Sequence, residues 1–212
     1  AMLALALSPS LSMGGGAAFA RVDGAAEAKA AFAATLRSAQ DGDATRYVDL
    51  AKLYLDGEGV DRDVTQALAW LRTHNESQPV TQRLLPAVLL IKAVALAVRE
   101  VPEMNGSFVD GGFRPSPAAH VGVAISLRRG GLIAPALHDV GDKPLPQLMA
   151  ELGDLVQRAR AGSLRSSELA DPTLTVTNLG DQGVEAVHGV IYPPQVALVG
   201  FGRIGERAWV EA

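Results

Sequence analysis

Two short runs of β-branched and apolar residues, 174–177 and 195–199, stand on either side of a long excursion that carries glycines and two adjacent prolines. Such a pattern predicts two strands joined by a long loop, with the residues from about 80 onward arranged to support them. The loop is where chemistry is expected, because a rigid sheet positions it and its backbone is free to turn. Thr177 and Asn178 close the first run immediately before Leu179 and Gly180, so a hydroxyl and a carboxamide are held at a strand end. Such groups can donate hydrogen bonds to a developing oxyanion. On physics alone the plainer reading stands beside it: Thr177 as a strand residue and Asn178 as a turn former.

The supporting elements follow from periodicity. From Pro86 the chain is apolar through Leu89, Leu90, Val94, Ala97 and Val98 until Pro102, which predicts a helix buried on nearly every side. Lys92 is the single charge within it, and is expected to lay its stem on the core and reach solvent with its ammonium. Residues 105–116 are turn-rich. Residues 120–127 alternate as a strand does, and after Arg129, Gly130 and Gly131 a second strand over 132–137 is interrupted at Pro135, as an edge or bulge. Leu145, Leu148, Leu152, Leu155, Val156 and Ala159 recur at helical spacing, opened by Pro144 and Pro146 and closed by Gly162, with the charged residues on a solvated face. Residues 163–169 read as a connector.

Upstream of residue 80 the chain is helical by composition. Residues 25–40, 45–56 and 63–73 form three expected helices, broken at Gly42 and at Gly57 to Gly59, with Asp63 placed to cap the third. The polar stretch 74–80, ending in Pro79 and Val80, marks the expected boundary. Residues 1–20 are expected to be a disordered leader: Ser, Gly and Pro dominate residues 8–16, no positive segment precedes the apolar run, and residues 3–7 are too short to span a membrane.

With 23 acidic residues against 19 lysines and arginines, the net charge of −4 argues against a non-specific nucleic-acid binder; Arg128 and Arg129 are too small a basic cluster to reverse that. The chain has no cysteine, hence no disulfide, thiolate metal site or cysteine nucleophile, and His74, His120, His138 and His188 lack ligand spacing for zinc. His120 and His138 at strand ends read as surface or satisfied histidines, not as bases.

The string TVTNLG at 175–180, with IYPPQVALVGFGRI at 191–204, resembles the catalytic domain of the dihydrolipoamide acyltransferases, the core component of 2-oxo acid dehydrogenase complexes. Residues 85–107, 120–139 and 143–169 fall in the same order as in that family. The resemblance implies an α/β (α+β) fold, a mixed sheet flanked by helices of the coenzyme A-dependent acyltransferase kind, over residues 79–212. It implies acyl transfer between a dihydrolipoyl thioester and coenzyme A as substrates, with no tightly bound cofactor. It also implies a trimer-based homo-oligomer and a lipoyl-bearing protein acting in trans. Thr177 matches the family's Ser or Thr position, with Asn178 beside it; Gly131, Leu132, Ile133, Ala134, Pro135 and Gly180 would face substrate. The family's general base is a histidine in a His-Arg-x-x-x-Asp-Gly motif that does not occur in these residues, so little or no turnover is expected unless a histidine arrives from elsewhere. The resemblance implies the cytoplasm, whereas the leader hints at export.

Residues 49–71 (DLAKLYLDGEGVDRDVTQALAWL) also resemble one unit of the tetratricopeptide-like Sel-type repeat, making 21–78 a helical repeat-like region that leans on another surface and could engage a protein partner. A non-catalytic scaffold built from this repeat and a partial acyltransferase fold is the alternative reading.

Overall fold

The structure is a computed structural model that describes residues 16–79, 83–127 and 130–204. Arg128, Arg129 and the first fifteen residues of the expected leader lie outside the described residues. Helix α1 (Gly16–Gln40) begins earlier than the Ala25 expected from composition, inside the stretch read as leader.

Helices α2 (Tyr47–Asp56) and α3 (Val64–Ser77) form a hairpin. Gly57 ends α2 in the left-handed conformation at φ +72°, and Asp63 caps α3 by accepting a hydrogen bond from the Gln66 N–H at 3.0 Å. Tyr47 stacks on Trp70 with ring centroids 5.7 Å apart, and Phe32 of α1 meets Tyr54 edge-on at 5.3 Å. The stretch expected as a polar linker is largely helical, since α3 continues to Ser77. The physical reason is tertiary: Asn75 clamps the returning chain, its Nδ2 donating to the Leu84 carbonyl at 2.7 Å and its Oδ1 accepting from the Leu84 N–H at 2.8 Å. Ala51, Leu55, Ala67, Leu71, Leu84 and Leu89 make one apolar cluster. Shared packing therefore crosses the boundary expected between residues 78 and 79.

Helix α4 (Pro86–Ala97) opens on proline and buries Val88, Leu89, Leu90, Ile91, Val94 and Ala95. Each large aliphatic side chain among them contributes about 1.5–3 kcal/mol on leaving water. Lys92 departs from expectation. It is 8% exposed, and its ammonium turns inward to donate to the carbonyls of Gly141 at 2.6 Å, Lys143 at 2.9 Å and Val140 at 3.4 Å. The 3-10 turn Val140–Asp142 packs on α4 where solvent was expected, and its carbonyls need a donor.

The turn-rich residues 105–116 hold a hairpin of β1 (Gly106–Val109) and β2 (Gly112–Pro115). Asp110 and Gly111 turn it at φ +54° and +75°, the paired left-handed residues that a two-residue turn between twisted strands requires. Strands β3 (Val121–Val123) and β4 (Ile125–Ser126) replace the single strand expected over 120–127. Strands β5 (Leu132–Ile133) and β6 (Ala136–Leu137) are separated at Pro135 as expected.

The main sheet has the order β6-β3-β7-β8, with β7 at Leu174–Asn178 and β8 at Leu198–Phe201. It is mixed: β3 runs antiparallel to β6 and parallel to β7, which runs parallel to β8. The second strand starts later than the expected 195–199, because Gln195 is engaged in a bridge with Ser107 of β1. Helix α5 (Leu145–Ala161), closed by Gly162 at φ +71°, packs with α4 on one face of the sheet. Val121, Leu137, Leu174 and Val176 meet Ile91, Val94, Leu148, Leu152 and Leu155 there. The connector expected over 163–169 contains a short helix, α6 (Ser166–Ala170). Its Glu168 is 6% exposed and accepts from Arg158 at 2.6 Å and from the Arg165 N–H at 2.7 Å. Arg158 is thus tied into a partly buried pair, not free on the solvated face expected for it.

Candidate active site

Strand β7 decides where the candidate side chains go. Alternation sends Leu174 and Val176 into the helical layer and Thr175 and Thr177 to the other face. The parallel register sets Thr177 beside Gly200 and Asn178 beside Phe201, which packs against the core. Thr177 and Asn178 therefore project to opposite faces, and the structure does not bring the two side chains together. Asn178 Oδ1 accepts the Gly180 N–H at 3.1 Å, a local turn bond. Asn178 and Gly180 line a cavity of about 740 Å³ with Leu68, Arg72 and Arg83.

Thr177 is half-buried, and among the described residues its hydroxyl has no hydrogen-bond partner. The loop that follows β7 comes back across β8 as a strap. The two backbones approach so closely that a Cβ on Gly200 would lie 2.8 Å from the Cβ of Val187, and one on Gly202 would collide with the Glu185 carbonyl. Glycine is the residue that permits this contact. The strap walls the face on which Thr177 stands.

Gly131, Leu132, Ile133, Ala134 and Pro135 belong to an arm that leaves the sheet after β3. Ala124 donates to the Val176 carbonyl at 3.0 Å, one residue before Thr177, so the arm departs beside it. Gly131 is exposed at φ +97° and its carbonyl accepts from the Leu127 N–H at 3.1 Å. Leu132 is 53% exposed, Ile133 pairs with Ile125, and the buried Pro135 accepts from the Val123 N–H at 2.9 Å. None of these five lines the cavity that holds Asn178 and Gly180.

His120 and His138 pair away from this end, whereas His188 lies on the strap between Val187 and Gly189. His120 lies 5.1 Å from His138 by ring centroid; its Nδ1 accepts the Asp139 N–H at 3.1 Å, and His138 Nε2 lies 3.2 Å from Asp171 Oδ2. The His120 carbonyl accepts from the Thr173 N–H, which places this group four residues of strand, roughly 13 Å, from Thr177. Both are satisfied side chains, as expected. On α3, burial pushes His74 below the usual imidazole range, and its Nδ1 is the one buried side-chain polar atom without a partner among the described residues. Burial also lowers Lys92, and the hydrogen bond from Arg158 holds Glu168 below the usual carboxylate range. No group of three or more metal-ligating side chains that could hold an ion occurs among the described residues.

One residue that sequence reasoning passed over belongs to the Thr177 face. Gln195 Oε1 accepts the Thr175 hydroxyl at 2.7 Å. The signal was present in a threonine two positions before Thr177, on the same side of a strand, and a carboxamide at the mouth of the next.

Residues 58–212 match the family described as 2-oxoacid dehydrogenases acyltransferase (catalytic domain). The match begins inside the α2–α3 hairpin, and the comparisons lend the helical-repeat reading no support. The chain is 34% identical over 146 residues to the dihydrolipoyllysine-residue acetyltransferase component of the pyruvate dehydrogenase complex of Zymomonas mobilis, covering 68% of this chain and 33% of that protein. It is 36% identical over 122 residues to the corresponding component of Rhizobium meliloti, covering 58% of this chain and 27% of that protein. The chain thus spans about a third or less of the length of these curated relatives. Among solved structures it resembles the dihydrolipoamide acetyltransferase of Azotobacter vinelandii, studied for the role of a serine, a histidine and an asparagine in its catalytic mechanism. The TM-score is 0.63 at 27% identity, covering 69% of this chain and 62% of that one. A structure of the cubic core of the pyruvate dehydrogenase multienzyme complex is similar at a TM-score of 0.62 and 27% identity, with the same coverage.

Proposed function

The chain belongs to the 2-oxoacid dehydrogenase acyltransferase (catalytic domain) family, and from that premise we propose that it serves acyl transfer between a dihydrolipoyl thioester and coenzyme A, with Thr177 as the oxyanion donor. The observation that carries this reading is the Thr177 hydroxyl itself, unpartnered at the carboxyl end of β7 beside the arm that carries Gly131 to Pro135. Coenzyme A thiolate attacks the thioester carbonyl, and the carbonyl oxygen takes up negative charge. Thr177 donates a hydrogen bond to that oxygen. Collapse breaks the bond from carbon to the lipoyl sulfur, and the proton lost by coenzyme A is regained by that sulfur. Asn178, on the opposite face, acts by holding the turn at Gly180 that ends the strand under Thr177.

A thiol of pKa about 8.5 is only a few per cent ionised at neutral pH, so the reaction needs a base. His120 and His138 are engaged at the far end of the strands, and no His-Arg-x-x-x-Asp-Gly stretch occurs among the 212 residues. We assign the base to a group other than these two histidines, in keeping with a trimer-based assembly that works on a lipoyl-bearing protein. Exposed apolar residues support such an assembly: Phe108 is 57% exposed, Val190 83% and Tyr192 43%, on segments joined by the bond from the Phe108 N–H to the Pro194 carbonyl. One second reading stands beside it, a scaffold that keeps the fold without turnover. Measuring acetyl transfer from S-acetyldihydrolipoamide to coenzyme A decides between them. Activity that falls about 100-fold or more in Thr177→Ala supports the oxyanion role; activity unchanged in that variant refutes it, and none in the parent supports the scaffold.

A further inference from the structure

Gln195 is fastened on three sides. Its N–H donates to the Tyr192 carbonyl at 2.9 Å, its backbone bridges to Ser107, and its Oε1 accepts the Thr175 hydroxyl at 2.7 Å. Thr175 is fully buried at 0% exposure, and Gln195 Oε1 is the acceptor its proton has. The carboxamide is consequently turned with its oxygen inward and its NH₂ outward. Nε2 meets no acceptor among the described residues. Gln195 and Thr177 are both half-buried, and neither Gln195 Nε2 nor the Thr177 hydroxyl is among the fully buried polar atoms that lack a partner.

Both unpartnered donors belong to one face. Thr175 and Thr177 are alternate residues of β7, about 7 Å apart along the strand. Gln195 reaches this face at Thr175, two residues before Thr177 on the same strand. A side chain retained only to satisfy Thr175 needs an acceptor and nothing more. A carboxamide adds two outward donors in a fixed orientation, which read a carbonyl oxygen.

We propose that Gln195 is a specificity-determining residue for the thiol carrier. With the thioester carbonyl at Thr177, Nε2 donates to an amide carbonyl farther along the carrier's extended aliphatic arm. This assignment rests on the acyl-transfer reading and names what that reading leaves open, the recognition of an amide-ended arm over a plain thiol.

The test compares the parent chain with Gln195→Ala and Gln195→Glu. The glutamate keeps the acceptor for Thr175 and removes the outward donors. Acetyl transfer to coenzyme A is measured from S-acetyldihydrolipoamide and from S-acetyl-2-mercaptoethanol, which has no amide. Both variants should lose about three- to tenfold in kcat/KM on the amide-ended thioester, through KM, the range of one neutral hydrogen bond, and be unchanged on the short one. Equal losses on both thioesters, or parental behaviour of Gln195→Glu, would overturn the assignment. If the parent shows no turnover, the acyl-transfer reading fails, and binding of dihydrolipoamide by calorimetry decides this one separately. A Kd weakened by the same factor in Gln195→Glu supports it; an equal Kd, or no binding to the parent, overturns it.

Discussion

Adding one methyl group at Gly200 and the same group at Gly153 should move stability in opposite directions. At Gly200 the new Cβ would lie 2.8 Å from both Cβ and Cγ1 of Val187, whereas carbon atoms rest at about 3.5–4.0 Å. Strap and strand must separate by about 1 Å to admit it, an overpacking cost of about 1–3 kcal/mol. Part is returned, because alanine loses less backbone entropy than glycine on entering a strand, by about 0.5–1 kcal/mol. The net expectation is a loss of about 1–2 kcal/mol. Gly153 lies inside α5 with nothing within 4 Å of its would-be Cβ, so Gly153→Ala should gain about 1 kcal/mol from helix propensity alone. In urea, with an m-value of about 2 kcal/mol/M, the midpoint should fall by about 0.5–1 M for Gly200→Ala and rise by about 0.5 M for Gly153→Ala. Equilibrium unfolding followed by circular dichroism measures both. A Gly200→Ala midpoint at or above the parent's would refute the close strap; a Gly153→Ala midpoint below the parent's would refute the open space beside α5.

Lys92→Met keeps the stem but strips the ammonium from the Gly141 and Lys143 carbonyls, and should cost about 1–3 kcal/mol in the same urea assay. Burial lowers the folded-state pKa of Lys92, so between that value and the unfolded one the unfolded chain binds more protons and the parent gains stability as pH rises; its margin over Lys92→Met should widen toward alkaline pH. Glu168 has a folded pKa depressed by Arg158, so its contribution is present above the ordinary carboxylate range and is lost as pH falls through the folded value. Parent and Glu168→Gln should therefore differ by about 1–3 kcal/mol at pH 7 and converge in acid, as thermal melts across pH would show.

Much of this fold was legible because local chemistry and tertiary context agree. Asp63 caps α3, Gly57 and Gly162 close α2 and α5, and Pro135 interrupts the strands, each for reasons contained within a few residues. The β1–β2 hairpin was hidden because Asp110 and Gly111 announce a turn, while the flanking runs are too short and too exposed to announce strands. Lys92 and Glu168 were misjudged for the opposite reason. Nothing adjacent in the chain foretells that the carbonyls at 140–143 or the guanidinium of Arg158 will meet them. At the candidate site, Thr177 was expected at a strand end and lies there, and its separation from Asn178 follows from the period-two rule applied across that same end. Gln195 escaped notice because its meaning depends on Thr175, which lies on another segment.

Since β3, β7 and β8 all point the same way, the connections that leave them gather at one rim of the sheet, and the antiparallel β6 delivers His138 and Asp139 to the other. A division of labour between two rims follows. Segments exchanged or lengthened at the histidine rim would leave the geometry around the threonine hydroxyl undisturbed, so the molecule could be re-equipped at one end while the other keeps its shape.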